Sequence, residues 1–205
     1  MSIYEVGRGL LGEIARIRHW RHIPQLFKFV RTKNWIVKRH TTLVCRAAAC
    51  ESPCLISLSR DGEHLTRAFL RHYRDLGFRS FIFLDNDSQD GCVSHLLDEA
   101  RVLGCDVTVY HCDLSYGRYK HSMKNFLIES ASPGAWVFCA DHDEFLVLPD
   151  GVRDVDQIIV YLEGKGFDTV QFHMLDMFSK KPFHCLLYTS PSPRDLSTSR
   201  MPSSA

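Results

Sequence analysis

No apolar run in this sequence is long enough to span a membrane. No signal-peptide pattern opens it, so the expected location is the cytoplasm. It shows no internal repeat and no linker-like stretch. It also lacks any Cys-x-x-Cys pair: Cys45, Cys50 and Cys54 are poorly spaced for zinc. His111, His121 and His173 have no metal-like spacing either. The eight cysteines are scattered through apparent strands and helices, which suits reduced thiols better than a disulfide framework. A bilayer span, a disulfide scaffold and a zinc module are therefore disfavoured from the start.

What remains is an ordinary globular balance. With 45% apolar and 11% aromatic residues the chain can bury a sizeable core, enough for one domain or most of one. The net charge of +1 hides an asymmetry. Residues 1–50 carry ten Lys/Arg against Glu5 and Glu13, while residues 51–184 are net negative by eight. The basic segment interleaves its charges with Leu10, Leu11, Ile14, Ile17, Trp20, Leu26, Phe27, Val30, Trp35 and Ile36, and is broken near Pro24. Such a segment either lies on an anionic membrane surface, peripheral to its inner face, or packs as a helical arm on the acidic domain or a partner. Nucleic acid is not the expected partner.

The last stretch reads differently. Cys185-Leu-Leu-Tyr-Thr-Ser190 is the translation of TGT CTC TTA TAC ACA TCT, and with Pro191 to Asp195 it resembles the adapter of a transposase-based sequencing library. Ser199 to Ala205 resembles the far end of the same adapter in the same frame. Residues 185–205 are accordingly expected to be a non-native tail and are set aside for fold reasoning. The native chain is expected to stop at about His184, in mid-gene.

Periodicity places the elements. Cys54 to Leu58 and Ser80 to Leu84 read as strands, with Leu65, Ala68, Phe69, Tyr73 and Leu76 at helical spacing between them. A polar turn, Asp85 to Gly91, follows the second strand. Leu96, Leu97, Ala100 and Leu103 mark a helix closed by Gly104. Val107 to Val109 form a third strand, and a helix spans Tyr119 to Glu129 before Pro133-Gly134. The apolar run Ala135 to Ala140 suits a strand buried on both faces. Ile158, Ile159 and Leu162 suggest one more helix, and Thr169 to His173 one more strand. Strands alternating with helices predict an α/β fold with a mostly parallel sheet and flanking helices.

The informative feature is where the acids fall. Ala135 to Leu148 reads Ala-Trp-Val-Phe-Cys-Ala-Asp-His-Asp-Glu-Phe-Leu-Val-Leu: a buried run ends abruptly in acids. Carboxylates at the C-terminal end of a parallel strand sit where α/β sheets bind ligands. Asp141 and Asp143 lie two apart, so both can converge on a hard cation that keeps positions open for phosphate oxygens. His142 should point away from them. Glu144 either supports the pair or is structural. Asp85 and Asp87 in the second acidic turn offer acceptors to a base or a ribose, against the plain alternative of an Asx turn. Two acidic loops would share one crevice if their strands are neighbours. Ser59 and Asp61 follow the first strand, where Asp61 reads equally as a helix N-cap. Lys124 could approach a diphosphate, although a lysine on a helix is usually a solvated one.

Taken in order, these pieces resemble glycosyltransferase family 2, with a GT-A (Rossmann-like) fold, in its bacterial branch with an Asp-x-Asp-Glu-Phe-Leu motif. The likeness covers about Leu55 to Phe183. It rests on Ser59-Arg-Asp, His72-Tyr-Arg-Asp-Leu-Gly77, Phe83-Leu-Asp-Asn-Asp-Ser-Gln-Asp-Gly91, Lys124-Asn125, Trp136 through Asp141-His-Asp-Glu-Phe-Leu146, and Met174-Leu-Asp-Met-Phe178. The resemblance implies metal-assisted transfer of a sugar, with inversion, from a nucleotide-diphosphate donor to a glycan or lipid-linked acceptor hydroxyl. It implies donor contacts at Ser59, Asp61, Asp85, Asp87, Lys124 and Asp141, and Mn²⁺ or Mg²⁺ held by Asp143 and Asp141. Residues 51–184 would be the N-terminal, nucleotide-sugar-binding part of such a domain, incomplete at its C-terminus, behind the basic leader 1–50. The family's Arg-Asn-Glu is replaced by Arg60-Asp61-Gly62-Glu63. Its general base lies beyond the matched region, so the fragment is expected to be inactive and poorly stable alone. The alternatives are a metal-dependent phosphohydrolase or nuclease, and a nucleotide-binding module without chemistry.

The tail reading is testable at the gene. Independently prepared DNA should continue past the His184 codon with further α/β pattern. A gene that encodes Cys185 to Ala205 and then stops would overturn it.

Overall fold

The computed structural model describes residues 23–47 and 52–174. Trp20, Cys50, Asp176 and the tail lie outside them. The elements run α1 (Ile23–His40), β1 (Thr41–Cys45), β2 (Cys54–Ser59), α2 (Glu63–Asp75), β3 (Ser80–Asp85), α3 (Cys92–Leu103), β4 (Asp106–Cys112), α4 (Tyr116–Ser130), β5 (Val137–Cys139) and α5 (Val155–Gly164). One five-stranded sheet has the order β1-β4-β3-β2-β5. β2, β3, β4 and β5 are parallel, and β1 is antiparallel to β4. The fold is therefore mixed α/β, as the alternation of periodicities predicts.

The strand order reverses at β2. From there the chain steps outward to β3 and β4, then returns to add β5 on the other side. With right-handed crossovers, that reversal puts helices on opposite faces. α2 and α3 pack together on one face, and α1 and α4 on the other. Both faces are covered, so β2 and β3 are buried along their whole length. Period-two alternation sorts their side chains. Ile56, Leu58, Ile82 and Leu84 join Val37, Met123 and Leu127 under α1 and α4. Phe81 and Phe83 turn to the other face, where Phe69 of α2 lies 6.0 Å from Phe83 and 4.7 Å from Tyr73 between ring centroids.

Three elements differ from the sequence reading. β5 is only three residues long and half-buried to exposed, not buried on both faces. It pairs with β2 alone among the described strands, so it is a sheet edge. Thr169 to His173 forms no strand, although its apolar residues alternate. Within the basic leader, α1 and β1 add a helix and an edge strand to the same sheet, with Val37 fully buried. The packed-arm alternative describes this part of the leader.

Two devices position the loop after β5. Tyr73 of α2 donates its hydroxyl hydrogen to the Glu144 carbonyl at 2.9 Å and accepts from the Leu146 N–H at 3.2 Å. His72 meets the Leu146 carbonyl at 2.8 Å. Removing the Tyr73 hydroxyl would leave two backbone groups of this loop without their partner. Tyr73→Phe should cost about 1–3 kcal/mol in urea unfolding, and should raise hydrogen exchange at the Leu146 amide above that of the β3 amides.

Candidate functional site

The carboxyl ends of β2, β3 and β5 form the mouth. Ser59, Asp85 and His111 stand at one level, because the parallel register pairs Ser59 with Asp85 and Asp85 with His111. The order reverses between β2 and β5, which is where open α/β sheets bind ligands. β3 and β5 are not neighbours, contrary to the condition set for a shared crevice. β2 separates them, so their acidic ends are roughly 10 Å apart, two strand spacings.

The Asp85 turn mixes satisfied and unsatisfied acids. Asp85 is 5% exposed. Its Oδ2 accepts from the Ser88 N–H and lies 3.3 Å from His111 Nδ1. Its Oδ1 is buried with no hydrogen-bond donor. Next to it, Asn86 donates its amide to the Cys112 and Leu114 carbonyls at 2.7 and 2.8 Å. That leaves Asn86 Oδ1 buried and without a donor as well. These are two buried acceptors without donors on consecutive residues at the carboxyl end of β3, one towards each face of the sheet, whereas buried polar atoms are ordinarily paired.

The remaining acids of this corner hold backbone. Asp61 has φ 49° and sits outside the helix cap, which is Gly62. Its Oδ1 accepts from the Gln89 N–H at 2.8 Å, and its own N–H donates to Ser88 Oγ at 2.9 Å. Asp90 takes the Glu63 and Cys92 N–H groups, and Glu63 takes that of Gly91. These bonds staple the turn after β2 to the turn after β3. Asp87, at φ 60°, is exposed. The Ser59 hydroxyl lies 3.1 Å from Cys92 Sγ and is buried there.

Beyond β5 the period-two alternation continues into the acidic loop. Phe138 faces Tyr73 and Phe78 on the α2 side. Asp141 falls on the α4 side, where Lys120 Nζ lies 3.0 Å from Oδ2 and Lys124 Nζ 2.7 Å from Oδ1. His142 falls back on the α2 side, stacked on Phe69 with centroids 4.8 Å apart. Asp143 is exposed and makes no ion pair among the described residues. Glu144 turns back to accept from the Asp141 N–H at 2.8 Å, which closes the loop. Burial pushes the Asp141 carboxyl up, but Lys124 and Lys120 outweigh it and hold the group below the usual carboxylate range.

Lys120, Asn86 and His111 were missed by sequence reasoning. Lys120 and Lys124 are four apart on one helix, so the spacing was there to be read. Asn86 and His111 become visible only through strand register. Lys124 and Asp141, expected separately, are brought into contact. Among the described residues no three His, Cys, Asp or Glu side chains gather as a metal cage. Of the two carboxylates expected to hold a cation, Asp141 is occupied by the two lysines and Asp143 is exposed.

No family model matches this chain, and no curated protein matches it. A solved structure to which it is similar is the mannosyltransferase PcManGT from Pyrobaculum calidifontis, in complex with GDP-Man and Mn²⁺. The match has 17% identity and a TM-score of 0.41, and covers 64% of this chain and 40% of that one. The chain thus spans less than half the length of that neighbour.

His142 makes the loop sensitive to acid. Thr66 Oγ1 donates to the Gly62 carbonyl at 3.0 Å, so His142 Nε2, 3.3 Å away, is the donor to Thr66. Nδ1 is left buried without a partner. Burial pushes this histidine down to about 4. The folded state therefore binds fewer protons than the unfolded chain below the ordinary histidine value. Stability from this group is intact above about pH 6.5. It falls as pH drops from there, and levels off below about 4. The loss should be of the order of 3 kcal/mol, from about 1.4 kcal/mol per unit. Urea midpoints of the metal-free chain between pH 7 and 4 should show it, and His142→Phe should flatten that part of the profile.

Proposed function

We propose that this chain is the donor-binding part of a GT-A-type glycosyltransferase, taking a nucleotide-diphosphate sugar. The observation that carries the reading is the pair of buried acceptors without donors, Asp85 Oδ1 and Asn86 Oδ1, at one side of a mouth that holds Asp141 and two lysines at the other. A nucleoside diphosphate has the matching order of groups. Its base and ribose supply N–H and O–H donors, and its phosphates supply negative charge.

In this reading Asp85 and Asn86 accept from the base or ribose, and Lys124 meets the diphosphate. Asp87 is exposed at the rim, and Ser59 and Asp61 shape the turn beneath the donor. Asp143 and Asp141 would hold Mn²⁺ or Mg²⁺, which when bound neutralises charge on the leaving diphosphate. The chain's own contribution is to orient the donor and to place cationic side chains where the leaving group develops charge. No general base is assigned, so the proposal covers donor binding, with transfer to a glycan or lipid-linked hydroxyl as the reaction class.

Membrane contact through residues 1–50 belongs to the same proposal. α1 supports it with exposed Phe29 and Trp35 beside Lys38 and Arg39. No helix of the described residues is long and apolar enough to cross a membrane.

Calorimetric titration with UDP and GDP tests the reading. One of them should bind, and Mn²⁺ should tighten it tenfold or more. Asp143→Ala should abolish the Mn²⁺ gain while leaving binding in EDTA unchanged. Asp85→Ala should weaken binding with and without metal. A chain that binds neither nucleotide, or that releases phosphate from simple esters with Mn²⁺, would refute the proposal.

A further inference from the structure

Two lysines one helical turn apart converge on a single carboxylate. Like charges at this spacing repel along a helix unless an anion lies between them. Asp141 is that anion for Lys120 and Lys124, at 3.0 and 2.7 Å. The trio keeps one net positive charge. Neither lysine has another carboxylate partner among the described residues. Lys120 also lies 5.1 Å from the Tyr116 ring centroid, which steadies its ammonium at the mouth. The side chains of Lys120, Lys124 and Asp141 are 35%, 24% and 21% exposed, so water reaches them without screening them fully.

The pairing is close and open to solvent on one side. Lys124 holds Asp141 Oδ1 and Lys120 holds Oδ2, so each carboxylate oxygen faces one ammonium. The contact is a charge pair that a better ligand can replace. A diphosphate is such a ligand for the lysines, since it brings more charge and more acceptor oxygens than one carboxylate.

We propose that Lys120 and Lys124 form a diphosphate clamp for which Asp141 is the resting counter-ion. This rests on the donor-binding reading above. Binding of the donor's diphosphate takes the two ammoniums away from Asp141 and frees its carboxylate for the cation that accompanies the donor. No bond is made or broken; ion pairs are exchanged. Before the donor arrives, the lysines compete with a cation for Asp141. After it arrives, they no longer do. Diphosphate and cation therefore assist each other, and by linkage the assistance is reciprocal.

The test has two readouts of opposite sign. UDP and GDP are titrated calorimetrically in EDTA, and Mn²⁺ alone is titrated by electron paramagnetic resonance. Wild type is compared with Lys120→Met, Lys124→Met, the double variant and Asp141→Asn. Far-UV circular dichroism confirms the fold of each. The double variant should bind the nucleotide at least tenfold more weakly in EDTA, and should bind Mn²⁺ alone severalfold more tightly. Asp141→Asn should bind the nucleotide more tightly in EDTA, because the lysines lose their competitor. Lys120→Arg, which keeps the charge, should retain nucleotide binding. Unchanged nucleotide affinity in the double variant, or unchanged or weaker Mn²⁺ binding, would overturn the clamp. If wild type binds nucleotide but the lysine variants match it, only the clamp fails. If wild type binds no nucleotide even with Mn²⁺, the donor reading fails first.

Discussion

Every functional group at the mouth takes its place from β2. Its six residues are buried on both faces, and it pairs in parallel with β3 on one side and β5 on the other. A strand so placed cannot bury polar side chains cheaply, so it reads Cys-Leu-Ile-Ser-Leu-Ser with polarity rising only towards its end. It is also where the chain changes direction across the sheet. That reversal sends α2 and α3 to one face and α4 to the other, and leaves an opening above β2 with an acidic loop on either flank. Were β5 to pair beyond β4 instead, Asp141 would be three strands from Ser59 and the lysines of α4 could not reach it.

The acidic loop is held from both faces. On one side α2 contributes Thr66, Phe69, His72 and Tyr73, which contact residues 142 to 146 through one stacked ring and several hydrogen bonds. On the other side α4 contributes Lys120 and Lys124. The period-two alternation that sorts apolar side chains inside the sheet continues past the last ladder bond. It sends Asp141 and His142 to opposite faces. The bulky neutral imidazole is pressed into the aromatic layer, and the carboxylate is left among ammoniums. The same loop thus has one apolar anchor and one charged arm, which is how a short irregular segment keeps two carboxylates in place beside an edge strand.

Much of this was legible in the sequence, and the failures have physical reasons. The strands of β2, β3 and β4 and the helices between them follow from apolar period, with Gly104 in the left-handed conformation that closes α3. Asp141 and Asp85 stand out because a carboxylate directly after a buried run has few uses other than a ligand. β5 was over-read because apolar content signals burial but not the presence of a second neighbour; Val137 to Cys139 has β2 on one side only. β1 was under-read because Thr41 to Cys45 follows a basic helix whose charge dominated the segment. The spacing of Lys120 and Lys124 shows a shared helix face but not what that face meets. Its partner is Asp141, which comes within reach only once the β4–α4–β5 crossover is closed.

The eight acids around the mouth can be ranked by what their oxygens already do. Asp61, Glu63, Asp90 and Glu144 accept from backbone N–H groups of the surrounding turns. Recruiting any of them to a ligand would leave a backbone donor without its acceptor, a cost that a weak ligand cannot offset. Asp87 and Asp143 are exposed and hydrated, so they can turn to a ligand at small cost but hold it loosely. Asp85 and Asp141 differ from both groups. Asp85 is buried with Oδ1 lacking a donor, whereas Asp141 is half-buried with each oxygen against a lysine ammonium. For Asp85 the desolvation is already borne in the folded state, so a donor that reaches Oδ1 gains interaction without having to strip water from it. In the proposed reading Asp85 serves the neutral donors of a base or ribose, beside the His111 ring. In the proposed reading Asp141 meets a cation only once its two lysines have turned to the diphosphate.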